Sequence, residues 1–116
     1  MNPQVLFVIT GDPRTSPRPA EAIRIAAGVG VWGKIDITVY LRGPAVLALA
    51  EYVDDWVDAD HFSRYLPLIA ESGRPVYVER DTPELAALGA SPIPFQAIND
   101  DDLARLSVQS NYLVRF

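Results

Sequence analysis

Val5-Leu6-Phe7-Val8-Ile9-Thr10-Gly11 is the stretch that decides the fold. A strand with one wet face alternates polar and apolar residues. An unbroken apolar run stopped by glycine is the pattern of a central strand covered on both faces. The next segment, Asp12-Pro13-Arg14-Thr15-Ser16-Pro17-Arg18-Pro19, contains three prolines and cannot be a continuous helix. Ser16 or Arg18 is read as the cap of the next helix, with Pro17 or Pro19 in its first turn. From Ala20 the period changes. Ile23, Ala26, Ala27 and Gly30 fall at i, i+3, i+4 and i+7, giving a narrow face of small residues that can lie close to a sheet. Gly28, Gly30 and Gly33 are expected to weaken this helix and end it.

Further along, Ile35, Ile37, Val39 and Leu41 alternate with Asp36, Thr38 and Tyr40, the mark of a strand less fully buried than the first. After Arg42-Gly43-Pro44, residues Ala45 to Tyr52 read as a short apolar helix, and Val53 to Asp60 as an acidic loop or frayed turn. Phe62, Tyr65, Leu66 and Ile69 repeat at helical spacing, but Pro67 requires either a start near Arg64 or a kink. Gly73-Arg74-Pro75 reads as a stop. Val76 to Glu79 is a third strand, and Thr82-Pro83-Glu84 opens a short helix. Pro94 to Ile98 is a weak fourth strand. Asn99 or Asp100 caps a helix whose Leu103 and Leu106 face inward, and Tyr112 to Phe116 is the fifth strand. Strands alternating with helices predict a three-layer α/β/α sandwich around a mostly parallel five-stranded sheet.

The 116 residues make one domain, 1–116, with 49% apolar and 22% charged residues, a globular balance. There is no cysteine, which excludes disulfides, thiolate nucleophiles and a persulfide carried on this chain. A net charge of −5 disfavours nucleic acid as a partner. No apolar run is long enough to span a bilayer, and Met1-Asn2-Pro3-Gln4 does not open a signal peptide, so a cytoplasmic protein with no membrane partner is expected.

Ligands of parallel α/β sheets sit beyond the carboxyl ends of the strands. That edge receives Thr10, Gly11 and Asp12 from the first strand, with Arg14 close behind. The second strand delivers Arg42 and Gly43, the third Glu79, Arg80 and Asp81, and the fourth Asn99 and Asp100. The segment from Thr10 to Ser16 is an anion-site candidate at a helix amino terminus, but carries no glycine-rich nucleotide fingerprint. Asp12, Arg14, Arg42, Glu79 and Arg80 are the candidate ligand-binding residues, for a small anion or for a salt-bridge network closing the pocket. His61, the single histidine, reads as a capping or surface residue, and no nucleophile elbow accompanies Ser63 or Ser72. The acidic cluster Glu51, Asp54, Asp55, Asp58 and Asp60 lacks the calcium-loop spacing. No metal site and no cofactor are implied. Trp32 and Trp56, with Tyr40, Tyr52 and Tyr65, exceed what a small core needs; they mark an interface or pack against helix backs.

Val5 to Glu21, Tyr40-Leu41-Arg42-Gly43, Val76 to Glu79 and Tyr112 to Phe116 together resemble the DsrE-like family of sulfur-relay proteins, nearest its DsrE/TusD branch. The resemblance implies an α/β/α domain that assembles into homo-oligomers, or hetero-oligomers with related DsrE-like subunits. It also implies a cysteine just after the third strand, which accepts a persulfide. In register, Glu79 stands at that position, with Arg80 its neighbour. A carboxylate cannot carry sulfane sulfur. The implied role is thus an oligomeric binding or scaffold subunit without catalysis. Two alternatives stay open: an accessory subunit of a sulfur-relay complex whose cysteine is on a partner, or a small enzyme using Glu79 as acid or base.

Overall fold

The computed structural model describes residues 2–72 and 75–116; the stop expected at Gly73-Arg74 lies outside them. The elements are β1 (Gln4–Ile9), α1 (Arg18–Val31), β2 (Asp36–Leu41), a 3-10 helix (Gly43–Leu49) and α2 (Ala59–Glu71). Then come β3 (Val76–Glu79), α3 (Pro83–Ala87), β4 (Phe95–Ile98), α4 (Asp100–Gln109) and β5 (Tyr112–Arg115). The strands form one sheet in the order β4-β3-β2-β1-β5, and every neighbouring pair is parallel. The chain steps one way from β1 to β4, then returns past β1 to lay down β5. With right-handed crossovers, that reversal sends the last connection to the opposite face. Accordingly α1, α2, the 3-10 helix and the α3 segment cover one face, and α4 alone covers the other. No helix among the described residues is long and apolar enough to cross a membrane.

Side-chain parity follows from this. Val5, Phe7 and Ile9 of β1 enter the larger core with Ile37, Val39, Leu41, Val76 and Val78. Leu6 and Val8 point the other way and meet Tyr40 and Ile98 beneath Leu103 and Leu106 of α4. β1 is covered on both faces, as its apolar run requires. β2 is not the wetter strand that its alternation predicts: Thr38 and Tyr40 are buried too. A threonine and a tyrosine read as solvent-facing only until the fold lays α4 across them.

Local departures have local causes. The segment after β2 is a 3-10 helix rather than an α-helix. Its buried residues, Ala45 with Ala48 and Val46 with Leu49, repeat every three positions, the period of the tighter turn. α1 starts at Arg18 with Pro19 in its first turn. Its cap is Pro17, and the Ser16 hydroxyl accepts from the Arg18 N–H without being the cap. α2 begins at Ala59 and runs through Pro67. The proline and Ser63, whose carbonyl loses its helical donor, are both exposed, where the ring has room and the carbonyl meets water. His61 does not cap this helix. It sits in the first turn, its ring edge-on to Tyr65, with Nδ1 buried and without a hydrogen-bond partner among the described residues. The acidic loop is docked rather than frayed: Trp56 Nε1 donates to the Leu47 carbonyl at 2.9 Å and Val57 N to the Pro13 carbonyl at 2.8 Å.

Gly28 and Gly30 do not end α1; both lie inside it, and Gly33, at φ +78°, makes the turn beyond it. A Cβ on Gly30 would stand 3.0 Å from Ile37 Cγ1, so the glycine permits close approach of α1 to β2, whereas a Cβ on Gly28 meets nothing within 4 Å. Gly28→Ala is therefore expected to stabilise the protein by about 0.5–1 kcal/mol in a denaturant titration. Gly30→Ala should lose that gain to crowding. Equal effects at the two positions would mean that α1 does not contact β2 here.

Candidate functional site

At the carboxyl edge, the connection leaving β3 turns to α3 on one face and the connection leaving β4 turns to α4 on the other. Neighbouring strands whose connections diverge open a crevice between them, and this is where α/β sheets bind ligands. Glu79 is the last residue of β3 and Asp100 the first of α4, so the chain places carboxylates on both sides of it.

Val76 and Val78 of β3 are buried in the larger core, which leaves Tyr77 and Glu79 on the α4 side of the sheet. Glu79 is engaged through both oxygens. Oε2 lies 3.2 Å from Arg42 Nε, and Oε1 accepts the Gly43 N–H at 3.0 Å. Gly43 has φ +57°, and this left-handed turn directly after β2 accompanies its amide's bond to the carboxylate. Arg42 Nη2 is 3.7 Å from Asp100 Oδ1, so the guanidinium bridges the ends of β3 and β4. The Arg80 backbone N–H donates to the Ile98 carbonyl at 3.0 Å, and its Nη2 reaches the Ala97 carbonyl at 3.4 Å.

Asp12 and Arg14 form a separate pair. The Arg14 Nε and Nη2 donate to the two Asp12 oxygens, each at 3.0 Å, and the Arg14 N–H adds a bond of 2.9 Å. The hydrogen bonds from Arg14 hold the Asp12 carboxyl below its usual range, and Arg14 in turn is raised chiefly by Asp12, with a minor contribution from Glu84. No hydrogen bond or ion pair among the described residues joins this pair to Arg42 and Glu79. The five candidates thus fall into two ion pairs and a separately placed Arg80, rather than one ring of arginines.

Tyr40 is the group that sequence reasoning missed. Its side chain is fully buried under α4, and its hydroxyl has no hydrogen-bond partner among the described residues. Burial pushes the phenol up from its ordinary value; the Glu79 charge adds to this, and Arg42 opposes it. Those electrostatic neighbours mark it as part of the same cluster. The signal in the sequence was its parity with Glu79: the sheet pairs Tyr40 with Tyr77, two residues before Glu79 on the same face. Because folding keeps this phenol protonated above the unfolded value near 10, its contribution is complete below about pH 10 and is lost as pH rises through the folded value. In a spectroscopic titration one of the five tyrosines should ionise later than the rest, and Tyr40→Phe should abolish that late phase. The same substitution should leave stability unchanged or raise it by up to about 1 kcal/mol, since the hydroxyl is buried without a bond. A clear loss of stability would show a partner for it.

The wholly parallel sheet, covered by several helices on one side and by one on the other, defines a three-layer α/β/α protein of the DsrE-like fold. The similarity is to the crystal structure of the ychN protein from E. coli, at a TM-score of 0.79 and 16% sequence identity, covering 100% of this chain and 100% of that one. No family model matches the sequence, and no curated protein matches it. At that identity the likeness establishes the fold alone.

Proposed function

We propose that this chain is a non-catalytic subunit of DsrE-like fold, an oligomeric binding or scaffold component whose carboxyl-edge crevice takes a small polar, anionic ligand. One observation carries this reading. Where the resembling family holds its sulfur-accepting cysteine, this chain holds a carboxylate whose two oxygens are already bonded to its own Arg42 and Gly43. The chain has no thiol to take that role. Both Glu79 oxygens already accept a donor from the chain itself, a structural engagement that weighs against this residue as an acid or base. Arg42 supplies the anion-binding element. Its Nε is committed to Glu79, while Nη2 has only a long contact to an exposed carboxylate, a contact that water screens heavily.

Two measurements test this. Light scattering behind gel filtration should show an assembly; a strict monomer at high concentration removes the scaffold role. Inorganic phosphate or sulfate should raise the thermal midpoint, and Arg42→Gln should abolish the rise; no rise in the unmodified chain removes the ligand. A sulfur-relay accessory role is the second reading, favoured by the resemblance, and it requires co-purification with a cysteine-bearing homologue.

A further inference from the structure

Away from the carboxyl edge, a groove of about 440 Å³ runs along α2. Phe62, Leu66, Leu49, Val53 and Ile93 contribute apolar lining, and the same wall includes Glu51 and Glu71 but, among the described residues, no basic one. The groove is open because small and rigid residues bound it: Ala70 and Pro67 on α2, Pro92 and Pro94 before β4. On the other flank of α2, where it meets α1, the opposite kind of surface projects. α1 ends at Val31, Trp32 is its cap and Gly33 turns the chain away. Val31 is 69% exposed and Trp32 62%. Lys34, the single lysine of the chain, holds its Nζ 5.5 Å from the centre of the Trp32 ring.

We infer that the groove of one copy receives the Val31-Trp32-Lys34 knob of a second copy. The inference rests on the oligomeric reading above and gives it a surface. Three features fit. Tryptophan carries a large apolar ring that favours cover at interfaces, and the groove offers mainly apolar side chains to receive it. The ammonium of Lys34 arrives beside a tryptophan whose receiving wall carries two carboxylates and, among the described residues, no positive charge. And the two surfaces lie on different flanks of one helix: Leu68, Ile69 and Ser72 of α2 line the crevice against α1, Ser63, Leu66, Pro67 and Ala70 line the groove, and Glu71 borders both. Each copy can therefore give its knob to one neighbour and accept another's on the far side. Such a head-to-tail contact closes into a ring or continues as a chain.

The experiment uses two exposed-surface variants of the full chain. Trp32→Ser with Lys34→Glu disables the knob and keeps the groove; Glu51→Lys with Ser63→Lys disables the groove and keeps the knob. Circular dichroism establishes that each is folded, and Lys34→Glu alone, which alters no core contact, provides a milder knob variant expected to weaken association about tenfold. In light scattering the unmodified chain is expected to assemble and each double variant to be monomeric. Mixed in equal amounts, the two double variants should form a dimer and nothing larger, since one intact knob meets one intact groove. Combining Lys34→Glu with Glu51→Lys and Ser63→Lys in one chain should restore assembly. A double variant that stays assembled, or two monomeric variants that fail to pair, would overturn the knob-in-groove contact while leaving the oligomeric reading standing. An unmodified chain that is monomeric would overturn both.

Discussion

Glu79→Cys is expected to turn a chain that accepts no sulfane sulfur into one that takes up about one atom per molecule. The mechanism is explicit. The new thiolate attacks the outer sulfur of a low-molecular-weight persulfide donor, a sulfur–sulfur bond forms on the introduced side chain, and the donor leaves as its thiol. The introduced sulfur would sit near the position of the glutamate Cγ, two bonds short of the carboxylate oxygens, but on the same side as the Arg42 guanidinium and the Gly43 N–H that now bind those oxygens. Positive charge and amide donors lower a thiol's pKa and raise its thiolate fraction at neutral pH. Mass spectrometry after exposure to the donor reads the result. An unmodified chain that carries label would refute the non-catalytic assignment, since it contains no cysteine. A Glu79→Cys variant that remains unlabelled, with its thiol unreactive to alkylation, would show that the position is not the family's sulfur site.

The other large effect is on stability. Phe62→Ala should cost about 3–5 kcal/mol, the range for truncating a buried aromatic ring. Phe62 is 2% exposed and belongs to the core cluster under α2. A domain with a total stability of about 5–15 kcal/mol would lose about a fifth or more of it, and the thermal midpoint should fall by more than about 10 °C. The groove beside Phe62 matters here: the alanines and prolines among its lining residues cannot swing in to fill the space. A loss below about 1 kcal/mol in a denaturant titration would mean that α2 does not rest on this ring.

Much of the fold could be read from local signals because each rests on one segment's own chemistry. The apolar run of β1 required cover on both faces. Pro19 in the first turn of α1, Thr82 accepting from the Leu85 N–H, and the reciprocal Asn99–Asp102 cap of α4 are contacts between residues at most three apart. The misread places are those where a distant element sets the environment. β2 alternates like a half-exposed strand, yet α4, some sixty residues later, buries Thr38 and Tyr40. Gly30 looked like a helix breaker and is a point of approach to Ile37.

The candidate site divides the same way. Residue type and position after a strand put Asp12, Arg14, Arg42, Glu79 and Arg80 at one edge, because a parallel sheet gathers its carboxyl ends there. Sequence could not say which arginine meets which carboxylate. Arg14 finds Asp12 two residues away, a local pairing, while Arg42 crosses to Glu79, thirty-seven positions on, only because β2 and β3 lie side by side.

By itself, then, the sequence determined the alternation of strands and helices, the absence of a thiol and the sign of the charge. These are properties of residues and their near neighbours. The order of strands, the lone helix over Tyr40, the divergence of the connections leaving β3 and β4 and the open groove along α2 were decided by tertiary structure. Each depends on which surfaces are brought together across long stretches of chain, and hydrophobic burial, which drives that assembly, is non-directional and carries no address within a single segment.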